Sequence, residues 1–381
     1  MLDSLHIKNY RNLKELKIKS LSRVNLITGK NNTGKSTMLE AIALYTSKGD
    51  LALIYQFLTE RGENFRQVEN FRQTESNKNA TSSNIRSVSS LFTNRQIGFE
   101  KKDAIIIGTL EDTSLGQTNL QENLLTMRFV KYSDEVQRDN QGAAITRKRT
   151  LLENSLFEQL DNYKVGLEIK SDKSYNIIPM EDDLPYRFRS IRQNENCQFI
   201  RTRNIDKEIN GNLFDSIALT EKEGFIIGAL KIIEPTTERI AFIGENSRER
   251  TAVIKLANIG NPLPLRSMGD GINRILTIIL ALVNSDNGFL LIDEFENGLH
   301  HTVQEKLWQV IFSLAKVLQI QVFVTTHSED CIAGFEKILN NPRYQYHGKL
   351  IRLDNIDGEI RQVEFSGEEL KIATDQNIEI R

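Results

Sequence analysis

Lys35 and Ser36 follow a glycine-rich turn in "LITGKNNTGKSTMLEAI" (residues 26–42), where Gly29, Gly34, Lys35 and Ser36 fit the spacing G-x-x-x-x-G-K-[ST]. That spacing suits phosphate. Successive backbone N–H groups wrap a β-phosphate, the lysine reaches the β and γ oxygens, and the hydroxyl ligates Mg2+. Asn31, Asn32, Thr33 and Thr37 fill out the nucleotide-binding stretch. A second segment, "GFLLIDEFENG" (288–298), is an apolar run that ends in Asp293 and Glu294. One carboxylate beside Ser36 can hold magnesium, and its neighbour can deprotonate the water that attacks the γ-phosphoryl group. The expected assignment is Asp293 to the metal and Glu294 to the base, giving hydrolysis of ATP to ADP and phosphate.

Two further segments belong to the same chemistry. "QVFVTTHSED" places His327 at the end of the run Val322–Val324, where it would meet the γ-phosphate, while Ser328 caps a helix carrying Ile332, Phe335 and Leu339. "LRSMGDGINRILTIILALV" puts Ser267, Gly269, Asp270 and Gly271 just before a long apolar helix, whose free N–H groups and positive dipole end favour an anion. Either that turn is only a cap, or it serves a second nucleotide. One ATP does not need two such sites on one chain, so the second reading implies a head-to-tail homodimer, each copy offering the turn to its partner's phosphate loop.

Phosphate chemistry of this kind needs strands that end together. "RVNLITG" reads as a buried strand, and Met38, Leu39, Ile42 and Ala43 give helical spacing after it. A parallel sheet would then line up Lys35, Asp293, Glu294 and His327 at its C-terminal edge. The N-terminal "SLHIKNYRNLKELKIKSLSRVNLITG" alternates apolar and polar residues as two or three strands. Residues 60–90 are polar and read as a solvated excursion. The runs "DAIIIGTL", "LLTMRFVKY", "YKVGLEIK", "YNIIPM" and "CQFIRTR" read as short strands. A capping box at Thr220 and Glu223 starts a helix that Pro235 stops, and another at Thr302 and Glu305 starts one running to Leu318. The stripe Leu307, Val310, Ile311, Leu314 and Leu318 is expected to be core under the sheet rather than a partner-docking face. "GKLIRLDNIDGEIRQVEF" reads as a hairpin turning at Asn355–Gly358.

Composition sets the limits. The 381 residues are 39% hydrophobic and 26% charged with a formal charge of −2, so no global charge points to nucleic acid or an anionic membrane. Cys197 and Cys331 stand far apart with no zinc spacing around them, which fits a reducing compartment. The start lacks a secretory pattern, and the longest apolar stretch, "ILTIILALV", is far short of the roughly 20 residues a membrane span requires. A cytoplasmic protein without a membrane partner is expected. Arg187, Arg189, Arg192, Arg201 and Arg203, with Arg147, Lys148 and Arg149, are local positive density that could track nucleic-acid phosphates, diluted by Glu181, Asp182, Asp183 and Glu195.

The order of these blocks resembles the ABC-type ATPase heads of the SMC and recombination-repair families. "SMGDG" stands where that superfamily's signature belongs, "LLIDEFENGLHH" stands for Walker B with D-loop, and "TTHS" resembles the switch histidine. "IKNYRNLKEL", "GDGINRIL" and "DEFENGLHHTVQEKLW" are similar to the heads of OLD-type nucleases and the compact bacterial ATPases related to them. The resemblance implies an α/β P-loop NTPase with an SMC-head-like sheet flanked by helices, a β-rich subdomain and a mixed insertion. Residues 1–381 would form one head, with a core lobe from 1–50 and 255–381 and an insertion and accessory subdomain over 51–254. It also implies Arg11 and Asn12 near the α-phosphate or ribose, and ATP and Mg2+ as cofactors. Met268 and Asp270 depart from the transporter signature and favour the OLD-like branch. OLD nucleases carry a Toprim nuclease after the head, whereas about 50 residues follow His327, fewer than a typical domain. The resemblance therefore implies a dimeric ATP-driven switch for a separately encoded nuclease or toxin, in the manner of bacterial antiphage systems. The alternative is a DNA- or RNA-handling clamp of the repair type.

Overall fold

Residues 24–28, 289–292 and 321–325, the apolar runs expected to carry the site, are strands buried at every position except the half-buried Phe289. The computed structural model describes the whole chain except residues 64–76, 111–123, 139–143, 153–162, 173, 181–196, 203–206, 245–249, 270, 377, 379 and 381. In chain order the elements are β1 (Leu5–Tyr10), β2 (Leu13–Ile18), β3 (Val24–Thr28), α1 (Lys35–Thr46), α2 (Leu51–Glu60), α3 (Asn77–Ser89), β4 (Ile105–Gly108), β5 (Leu124–Arg138), β6 (Ala144–Leu151), β7 (Lys164–Ser171), β8 (Ser174–Pro179), β9 (Cys197–Ile200) and α4 (Lys207–Asp215). There follow α5 (Glu223–Ile233), β10 (Thr237–Ile243), β11 (Thr251–Leu256), β12 (Leu263–Pro264), α6 (Gly271–Asn284), β13 (Phe289–Ile292), α7 (His301–Val317), β14 (Gln321–Thr325), α8 (Glu329–Leu339), β15 (Gly348–Ile356), β16 (Glu359–Phe365) and α9 (Gly367–Asp375).

The chain divides into two compact units: residues 1–3, 18–39 and 192–381, and residues 4–17 and 40–191. These boundaries differ from the grouping read from the sequence, which set 51–254 apart as one insertion. Residues 192–254 belong with the phosphate loop because β9 pairs in parallel with β13, Ile200 opposite Ile292, and because Leu213, Ile226 and Leu230 join the core cluster of α6 and α7. The signal was invisible locally, since β9 is only four residues long and its partner lies some ninety residues on.

The first unit is built on the sheet β16-β15-β3-β14-β13-β9, in which every pairing is parallel except the hairpin β15–β16. The register aligns Ile27 with Thr325 and Val324 with Ile292, so the segments after β3, β14 and β13 leave the sheet side by side. Helix α6 is buried along nearly its whole length, and the α7 stripe Leu307, Val310, Ile311, Leu314 and Leu318 is buried core. Phe295, at the start of the turn after β13, stacks on Trp308 with ring centroids 4.4 Å apart. This unit also holds the small sheet β10-β11-β12. The predicted hairpin turn is present, with Asp357 and Gly358 both at positive φ.

Two predicted caps are placed differently. Helix α7 begins at His301 with His300 as its cap, whose Nδ1 accepts from the Thr302 N–H; Thr302 itself lies inside the helix. Helix α5 starts at Glu223 after Lys222, and the Glu223 carboxylate accepts instead from the Leu219 N–H.

The second unit carries the antiparallel sheet β2-β1-β4-β5-β7-β8, with β6 on β5. Within the stretch read as a solvated excursion, residues 77–89 form helix α3, where Asn84, Ser87, Val88 and Ser89 are buried. Its low apolar content hid it, because small hydroxyl side chains fill the packed face and Ser87 and Ser89 bond back to carbonyls within the helix.

Candidate active site

Gly29 leaves β3 at φ +138, and a Cβ there would lie 2.3 Å from the Leu353 carbonyl oxygen, so only glycine admits this turn. Gly34, at φ +90, starts α1, and its carbonyl accepts from the Met38 N–H. Between them Asn31 and Asn32 are exposed, Asn32 at φ +64, while Thr33 is buried and donates to the Lys30 carbonyl. Thr37 is buried on α1. The Lys35 ammonium curls back into the loop, 2.7 Å from the Gly29 carbonyl and 3.0 Å from that of Lys30. Burial pushes its pKa below the ordinary lysine value, opposed by the charges of Asp293, Glu296 and Glu294. The loop therefore holds a partly desolvated cation at its centre.

The acidic pair meets this loop. Ser36 Oγ donates to Asp293 Oδ1 at 2.9 Å, and Thr325 Oγ1 donates to the same oxygen at 2.6 Å. The Thr325 hydroxyl also accepts the Glu294 N–H at 2.9 Å. A hydroxyl and a carboxylate in contact form the hard-oxygen donor pair that suits Mg2+. Glu294 sits at φ +49, an uncommon backbone state for a non-glycine residue. Arg274, on α6 and almost wholly buried, donates from Nη2 to the carbonyls of Asp293 (3.0 Å) and Glu294 (2.7 Å).

His327 lies just past β14 with its ring exposed, and Glu296 governs its pose. One carboxylate oxygen of Glu296 accepts from the His327 N–H (3.0 Å) and lies 2.8 Å from Nδ1; the other accepts from Thr326 Oγ1 at 2.7 Å. With Nδ1–H donating to Glu296, Nε2 is the imidazole atom left for a ligand. The sequence reading missed Glu296, Thr325 and Arg274. A signal existed for two of them. Glu294 and Glu296 alternate around Phe295, which points into the core, and Arg274 is the one cation in an otherwise apolar helical run.

The other expected residues make contacts of their own. Ser267 and Gly269 lie exposed around a short turn, with Gly269 at φ +105; Asp270 lies outside the described residues. Gly271 opens α6, and a Cβ on it would come 2.7 Å from the Gly298 carbonyl, so the head of that helix packs directly on the loop after β13. Arg11, at φ +50, directs its guanidinium to Glu40 at 2.8 Å, and Arg61 takes the other Glu40 oxygen at 2.8 Å; Asn12 is exposed. Of the basic cluster, Arg149 and Arg201 have described side chains. Arg149 donates to the Ile177 carbonyl, and Arg201 lies over the Phe199 ring. The rest of that cluster, with its diluting acids, falls outside the described side chains.

A phosphate loop, a carboxylate on its serine and a polar cluster at the ends of adjoining parallel strands make a P-loop NTPase site. Residues 1–332 match the AAA ATPase domain family. The chain belongs to that family. This AAA ATPase is similar to an ATP/GTP phosphatase of Helicobacter pylori, 24% identical over 397 residues and covering 97% of each chain. Among solved structures it is similar to an Smc head bound to the C-winged helix domain of ScpA, with TM-score 0.49, 14% identity, and coverage of 98% of this chain and 99% of that one. A Pyrococcus furiosus Smc head with an extended coiled coil, bound to the C-terminal domain of ScpA, gives TM-score 0.47 and 12% identity over 99% of each chain. The ATPase binds and hydrolyses nucleotide, and no helix among its described residues is long and apolar enough to cross a membrane.

Proposed function

We propose that this ATPase is a nucleotide-gated switch that closes head to tail around ATP and acts on a separately encoded nuclease or toxin, in the OLD-like, antiphage manner its motifs resemble. The observation that carries the reading is the exposed glycine turn at the head of α6, packed through Gly271 on the loop that follows the acidic pair. A surface joined to the hydrolytic machinery of its own chain, yet open to solvent, is suited to a second copy's nucleotide.

In this reading Lys35 neutralises β and γ oxygens, and the phosphate-loop amides of Gly29–Thr37 cradle the anion. Ser36 and Asp293 hold Mg2+, which supplies charge stabilisation when bound. Glu294 takes the proton of the attacking water, and His327, oriented by Glu296, presents Nε2 to the γ-phosphate. Loss of that phosphate releases the contacts joining the two copies.

The test is Glu294→Gln with ATP in sedimentation velocity, followed by recovery of bound protein and nucleic acid from the native host. An ATP-dependent dimer carrying a stoichiometric nuclease-like or toxin-like protein is the expected result. A monomer under saturating ATP would overturn the head-to-tail arrangement, and nucleic acid alone would establish the repair-type clamp instead.

A further inference from the structure

Arg274 is the one charged residue of α6 and is 4% exposed. A buried guanidinium needs partners on all its N–H groups, yet among the described residues only Nη2 has them, and Nε and Nη1 are buried without a hydrogen bond there. An arginine held at this cost for packing alone would be replaceable by an apolar side chain of like volume, as buried charges often are. What Nη2 grips is specific: the consecutive carbonyls of the metal carboxylate Asp293 and the base Glu294. Gripping both carbonyls pins the peptide that sets Glu294 at φ +49, a strained state that persists only where the surroundings hold it. The same helix turn carries Gly271, whose contact with Gly298 fixes the far end of that loop.

We propose that Arg274 is a positioning residue for hydrolysis: it clamps the backbone of Asp293 and Glu294 and makes the glycine turn before α6 and the general base move as one body. The inference rests on Glu294 being the base and adds the residue that aims it. The clamp acts on hydrolysis and leaves nucleotide binding alone, because the phosphate loop has its own glycines and lysine.

The experiment compares kcat at saturating ATP with the Kd for ATP in Arg274→Lys and Arg274→Ala, alone and in a Glu294→Gln background. Lysine keeps the charge and stem in the same space, so it folds where alanine collapses the site. The expected result for Arg274→Lys is a kcat lower by about 10- to 100-fold, the equivalent of one lost charge-assisted hydrogen bond, with Kd within about threefold of the parent. In Glu294→Gln the same substitution should change residual turnover by less than about twofold, since the group it aims is gone. A kcat within twofold of the parent, a parallel loss in Kd, an undiminished effect in the Glu294→Gln background, or failure of Arg274→Lys to fold would each overturn the clamp. If Glu294→Gln itself kept normal turnover, the base assignment would fall first, whatever Arg274 did.

Discussion

The two units use their charged residues in opposite ways. In the second unit the strands are antiparallel, and charges pair across the sheet: Arg128 on β5 stands opposite Glu168 on β7 in register and bonds to it. In the same unit the Glu40 carboxylate takes Arg11, Arg61 and the Tyr10 hydroxyl together. Those charges satisfy one another. In the first unit the strands β3, β13 and β14 carry no charged residue, and the segments that follow them bring Asp293, Glu294 and Glu296 within electrostatic reach of Lys35. Strands buried on both faces keep charge out of their length, and parallel neighbours present their C-terminal ends together. Charges that remain incompletely matched are the ones a ligand can complete.

This difference predicts that substitutions at the first unit's site change turnover and those in the second unit stability. The largest expected effect is Lys35→Ala, which removes the cation at the loop centre and abolishes ATP binding in calorimetric titration. Glu294→Gln should lower kcat by about 10²- to 10⁴-fold, the range for general base catalysis, while retaining ATP affinity. Equal loss of affinity in both variants would break the assignment of roles. Glu40→Ala should leave the largely buried Arg11 without its carboxylate and destabilise the protein by about 3 kcal/mol in urea unfolding. A stability unchanged by this substitution would erase the contrast.

Glu296→Gln sharpens the comparison, because it weakens one charge-assisted contact and keeps the shape. We expect kcat to fall about tenfold through misorientation of His327, with melting temperature nearly unchanged. The smallest effect concerns His6 on β1. Burial, aided by Lys17 and Lys8 and opposed by Glu15, lowers its pKa below the ordinary 6.5. A lowered folded value means that the unfolded chain takes up the proton first as pH falls. The stabilisation is therefore complete above about pH 6.5 and lost as pH falls through the folded value. Melting curves at about pH 7 and pH 5 should separate more for the wild type than for His6→Gln.

Much of the site was legible because its chemistry is local. The phosphate loop is a single turn between a strand and a helix, so Gly29, Gly34, Lys35 and Ser36 declare it by spacing alone. An apolar run ending in Asp293 and Glu294 is equally self-contained, as is the cap at Ser328, whose Oγ accepts from the Cys331 N–H. Helix α3 was hidden because a serine-rich face carries no apolar period, and the α7 cap because a histidine took the place that Thr302 suggested.

The sequence by itself offered the candidate residues for phosphate and metal, the apolar runs that precede them and the P-loop NTPase fold. Tertiary structure alone decided that Thr325 shares the Asp293 oxygen with Ser36, that Glu296 aims His327 and that Arg274 holds the Glu294 backbone. The physical reason is range. Motif spacing reports contacts between neighbours along the chain, whereas strand order and register bring together residues as far apart as Ser36 and Asp293.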